Sequence, residues 1–133
     1  MKPKISIINI TVSNLQKSLQ FYRDGLGFQT HNCKDGDNYI MFKMEGTWLA
    51  LSSKDLLAKN STVPARSELS NITLSHNVVS KEEVDKVFSH AVSVGAKTIK
   101  RPQNTEWGGY DGYFADPDGY LWEVAFNPFT DLT

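Results

Sequence analysis

Apolar and polar positions run through this chain in two passes of the same order. Ile5 to Val12 is rich in β-formers without a turn signal, which predicts a strand. Ser13 or Asn14 then caps a helix to about Leu26, since Leu15, Leu19, Tyr22 and Leu26 share one helical face. Gly25 and Gly27 stop it. Three strands follow over 28–33, 39–44 and 47–52, with turns at 34–38 and at Glu45-Gly46. The segment 53–70 is polar around Pro64, with Leu56-Leu57 apolar. It reads as a linker or a functional loop, with room for one helical turn. A second pass begins with a strand over 71–76 and a helix opened by the Ser80-x-x-Glu83 capping box. Val84, Val87, Phe88 and Ala91 line the inner face of that helix, and Gly95 ends it. Lys97 to Lys100 is a strand, 101–110 a loop, and a hairpin closes the chain.

That hairpin holds the most informative stretch, Trp107 to Pro128. Asp116-Pro117-Asp118-Gly119 suits a tight turn, with Pro117 setting φ and Gly119 supplying the position tolerant of φ > 0. Within the apolar run after it, Glu123 stands alone. Burying that carboxylate unpaired costs several kcal/mol.

Each pass therefore reads β-α-β-β-β, and Asn9-Ile10-Thr11-Val12-Ser13 is echoed by Asn71-Ile72-Thr73-Leu74-Ser75. An internal duplication follows. The expected fold is α+β: two βαβββ modules, about 5–52 and 71–128, forming a curved, open mixed sheet around a cavity, all within one domain of 133 residues. A four-stranded unit of this size is marginal alone, so pairing of units, and of chains as a homodimer, is expected.

Composition narrows the function. A net charge of −1 argues against nucleic acid and against a polybasic membrane patch. No apolar run approaches the length of a membrane span, and the N-terminus lacks a signal-peptide pattern. The lone Cys33 makes no internal disulfide, and a cytoplasmic location is expected. It reads as a part-buried strand residue rather than a nucleophile. None of His31, His76 and His90 has the spacing of a metal pair.

Thr11-Val12-Ser13-Asn14-Leu15, Ser18-Leu19-Gln20-Phe21-Tyr22, Leu26-Gly27-Phe28 and Asp116 to Glu123 together resemble the vicinal oxygen chelate superfamily, the glyoxalase/bleomycin-resistance/dioxygenase group. The resemblance spans nearly the whole chain and implies that superfamily's fold. Its members include isomerases, dioxygenases, thiol transferases and drug-sequestering proteins. Its metal enzymes place four ligands at positions that fall here on Ile7, Ala50, Asn71 and Glu123. Isoleucine and alanine bind no metal, so no metal and no other cofactor is expected. The chain also resembles fosfomycin-resistance proteins of the group, whose substrate-binding polar groups match Asn9, Asp111 and Tyr113 and whose tryptophan matches Trp48.

Strand parity with Glu123 and Ala50 places Leu121, Ala125, Trp48, Ser52, Tyr113 and Asp111 toward the expected cavity. A small-molecule ligand is expected there, with Asn9, Trp48, Asn71, Trp107, Tyr110 and Asp111 binding it. The Trp107-Gly108-Gly109-Tyr110 loop is the candidate lid. Arg101 reads as a rim charge or a solvated one. Glu123 and Tyr113 are the candidate catalytic pair. Glu123 serves either as an acid or base or as a structural acceptor from Tyr113, Asn71 or backbone N–H. Two functions stand: a metal-independent sequestering protein, or an enzyme, either a glyoxalase-like lyase or a metal-free acid/base catalyst.

Overall fold

A computed structural model describes residues 1, 3, 6–61 and 73–133. The chain divides into two compact units, Met1–Ser67 and Glu68–Thr133. Asn71 lies outside the described residues.

The first unit holds β1 (Ile7–Val12), α1 (Leu15–Leu19), β2 (Thr30–His31), β3 (Tyr39–Phe42), β4 (Trp48–Ser53) and α2 (Lys54–Ser61). Its four strands form one mixed sheet in the order β1-β4-β3-β2. The β1–β4 contact is parallel and the other two are antiparallel. Asn14 caps α1, its side-chain oxygen accepting from the Lys17 N–H at 2.9 Å. The predicted helix does reach Gly25, but Gln20–Gly25 winds as a π-helical turn, with the Leu26 N–H donating to the Phe21 carbonyl at 2.9 Å. Within that wider turn the consecutive Phe21 and Tyr22 are both buried. Tyr22, Phe28 and Phe42 then pack at ring separations of 5.7–5.8 Å against the sheet. Phe28 is drawn into this cluster, and Asn32 turns at φ 51, so β2 is shorter than the predicted strand. The segment after β4 is helical for two turns, started by the Ser53 hydroxyl accepting from the Leu56 N–H at 3.1 Å.

The second unit holds β5 (Thr73–Asn77), α3 (Lys81–Ser93), β6 (Lys97–Asn104), β7 (Tyr110–Ala115) and β8 (Leu121–Phe126). Its order, β5-β8-β7-β6, repeats the first, again with one parallel contact. Ser80 caps α3 through the Glu83 N–H, as the capping box predicts. Val84, Phe88 and Ala91 on α3 are buried with Leu74, Phe114, Trp122 and Val124 of the sheet. Phe88 meets Phe114 edge to face, and Phe114 stacks on Trp122 at 6.3 Å.

The β6 strand runs four residues beyond its predicted end at Lys100, through Pro102. Pro102 is tolerated because β6 is an edge strand and its ladder is irregular between Thr98 and Gln103. Opposite it, a Cβ on Gly112 would lie 2.9–3.0 Å from the Pro102 ring. The missing side chain there is what lets the two strands close. The predicted turn is present: Gly119 has φ 91, and the Asp116 side chain accepts from the Asp118 and Tyr120 N–H groups at 2.9 and 2.8 Å.

The ladders also correct the internal repeat. Asn9 pairs with Ala50 as Ser75 pairs with Glu123, and each first-strand residue precedes its helix cap, Asn14 or Ser80, by the same distance. The structural counterpart of Asn9 is therefore Ser75, whereas the literal echo sets Asn9 against Asn71. A short likeness in sequence is out of step with the backbone repeat by four positions.

Candidate functional site

Each sheet packs one face on its helix and turns the other away. In the second unit, alternation places Leu121, Glu123 and Ala125 of β8 on the far face, with Asp111, Tyr113 and Ala115 of β7 beside them. Register then sets four polar residues in one lateral row across the strands: Ser75, Glu123, Tyr113 and Lys100.

The row is closed by hydrogen bonds. Tyr113 donates its hydroxyl proton to Glu123 Oε1 at 2.5 Å, and Ser75 donates to Oε2 at 2.7 Å. Lys100 Nζ donates to Asp111 Oδ1 at 2.6 Å and sits 5.4 Å from the centre of the Tyr113 ring. Asp111 is buried, while Lys100 keeps 36% of its side chain exposed. Glu123 and Tyr113 are half-buried, and Ser75 is exposed. The bond to Glu123 holds the Tyr113 phenol well above its ordinary pKa, and burial and the charges of Glu123 and Asp111 act the same way.

Three expected site residues, Glu123, Tyr113 and Asp111, thus converge in this unit. Ser75 and Lys100 join them and escaped the sequence reading. Lys100 lies opposite Tyr113 only because β6 continues past its predicted end and bulges. Ser75 was hidden by the misaligned echo.

Tyr110 is not brought to the row. It shares the parity of Gly112 and Phe114, on the α3 side, where its hydroxyl donates to Asp85 of α3 at 2.9 Å. The lid loop is short and tied, not open. The Thr105 N–H donates to the Gly109 carbonyl at 3.0 Å, and the Gly109 N–H to the Thr105 hydroxyl at 2.9 Å. Trp107 folds its indole over Gly109, where a Cβ would fall 1.9 Å from the ring. Gly109 therefore serves close packing rather than hinge motion. Arg101 is exposed, beside Asp85 and Pro102 on the α3 side.

In the first unit, Asn9 and Trp48 lie on the face away from α1, with Ala50, Ser52, Tyr39 and Met41. Trp48 meets His31 edge to face at 5.1 Å. The row at Ala50, counterpart of the Glu123 row, reads Asn9, Ala50, Met41, His31.

The fold and these faces define the class. The chain belongs to the Glyoxalase/Bleomycin resistance protein/Dioxygenase superfamily, whose model matches residues 4–124. Among curated relatives it is 28% identical to the metallothiol transferase FosB of Shouchella clausii (strain KSM-K16), over 90% of this chain and 77% of that one. It is also 28% identical to YraH of Bacillus subtilis (strain 168), over 91% of this chain and 96% of that protein. Among solved structures, a glyoxalase-related enzyme from Fulvimarina pelagi superposes with a TM-score of 0.90 at 29% identity, covering 98% of this chain and 93% of that one.

The donor set does not fit the divalent metal of the superfamily's metal enzymes. Ile7 and Ala50 carry no donor atom. Each Glu123 oxygen already accepts a hydrogen bond from a neighbouring hydroxyl. Among the described residues no three His, Cys, Asp or Glu side chains converge. A transition ion at an open site ordinarily takes three protein ligands.

Proposed function

We propose that the chain is a metal-independent small-molecule-binding protein of this superfamily, acting as a cytoplasmic homodimer, and that its ligand docks against Glu123. The observation that carries this reading is the Ser75–Glu123–Tyr113–Lys100 row. It is a preorganised set of hydrogen-bonding groups on a rigid sheet, with an apolar flank from the part-exposed Leu121. Its members are locked by one another, so binding costs little side-chain entropy. The first unit's far face contributes Asn9 and the Trp48–His31 ring pair as a second binding surface.

A second reading is favoured by the 2.5 Å Tyr113–Glu123 bond. A carboxylate and a phenol in such close contact can pass a proton to or from a bound substrate, which makes the pair a metal-free acid/base centre. The relative named as a metallothiol transferase supports an enzyme, but its name implies a metal, for which this donor set is too poor. Ligand screening followed by product analysis separates the two. For a sequestering protein, the ligand is recovered unchanged from both the wild type and Glu123→Gln. Turnover by the wild type, with a Gln variant that binds but forms no product, replaces sequestration by catalysis.

A further inference from the structure

Resting on the binding reading above, the hydrogen-bond polarity of the second sheet's far face names the charge of its ligand. Tyr113 and Ser75 both spend their only hydroxyl proton on Glu123. Their oxygens, and the remaining lone pairs of the carboxylate, can then only accept. Three adjacent residues present acceptors alone. The cation of the row is already matched, since Lys100 is bound to the buried Asp111 at 2.6 Å. Among the described residues Glu123 has no ion-pair partner, so its charge is the one left over. Glu123, Asp111 and Lys100 together sum to −1; Lys97, opposite Ala115 on the same face, is exposed at the sheet edge, in the neighbouring row of Leu121.

We propose that the ligand recognised here is cationic, a small molecule bearing a protonated amine or amidine beside a flat apolar body. Its N–H groups dock on the Glu123 carboxylate and on the oxygens of Tyr113 and Ser75, and its body lies along the part-exposed Leu121. Charge-assisted bonds of this kind are about twice as strong as neutral ones. An anion on the Glu123 row meets a like charge; the ammonium beside it, Lys100, is already matched by Asp111, and Gln103, opposite Asp111, offers only a neutral amide. The raised pKa of Tyr113 supports this polarity, because the phenol keeps its proton aimed at Glu123.

Three probes that share a benzyl body test the proposal: benzylammonium, benzyl alcohol and benzylphosphonate, titrated into the isotope-labelled full chain and followed by amide NMR shifts. Benzylammonium is expected to move the Ser75, Tyr113 and Glu123 amides and to bind roughly tenfold tighter than the alcohol, less so at high salt. Glu123→Gln, its fold checked by spectral dispersion, should bring amine and alcohol to about equal affinity. Asp111→Asn leaves the Lys100 charge uncancelled and should admit the phosphonate. Preference of the wild type for the phosphonate at these amides overturns the charge assignment while leaving a binding face in place. If none of the three moves these amides, the binding reading falls with it.

Discussion

The two sheets have one topology and two chemistries. Both run outer parallel strand, centre, centre, edge, and both bury an aromatic and aliphatic face under a helix. On the far faces they part. At matching ladder positions the first sheet sets Asn9, Ala50, Met41 and His31, and the second Ser75, Glu123, Tyr113 and Lys100. The helix-side faces are free to be alike because packing asks only for shape and apolarity. The far faces differ because there a charge survives only with partners. Glu123 has two hydroxyl donors in its own row, whereas Ala50 is fully buried between an amide and a thioether.

If the helix-side faces are equivalent, truncating either should cost alike. Phe114→Ala and Phe42→Ala should each lose about 3–5 kcal/mol in chemical denaturation. A large inequality between them breaks the symmetry of the two cores. The far faces should respond unequally. Ala50→Glu puts a carboxylate at a fully buried position whose own row holds no hydroxyl, at a cost of roughly 3 kcal/mol, while Glu123→Ala should cost about 1 kcal/mol. Comparable losses would deny that the second row is specially built for its charge.

Gly112→Ala is a finer test of how β6 and β7 close. A methyl group against the rigid Pro102 ring should destabilise by about 1–3 kcal/mol. The smallest effect is in titration. Tyr113 binds its proton more tightly folded than unfolded, so its contribution is intact below the unfolded phenol value near pH ~10 and declines above it. The Tyr110 phenol is also raised by its bond to Asp85, so ultraviolet titration should show two tyrosines ionising late, Tyr113 the later, and Glu123→Gln should return only Tyr113 toward the ordinary range.

Much of this was legible in the sequence, for physical reasons. Helix caps and turns are local, and Asn14, Ser80 and the Asp116–Gly119 turn act as their residue types predict. Period-two alternation correctly separated Glu123 and Tyr113 from Trp122 and Phe114. What was hidden depends on partners distant in the chain. Lys100 reaches Tyr113 through an edge-strand irregularity, and Tyr110 is turned to Asp85 by the register of β7, which parity from Tyr113 alone predicts but the loop reading obscured. The paired glycines of 108–109 suggest a hinge in sequence, yet a folded tryptophan occupies the space that Gly109 leaves.

The central claim is that the Glu123 row works without a metal. Its most direct test is elemental analysis of the full chain after saturation with zinc, nickel, manganese or iron(II) and exhaustive desalting, with Glu123→Gln alongside. The account predicts retained metal well below stoichiometric and equal in both proteins. About one ion per chain in the wild type, lost in the Gln variant, would contradict it.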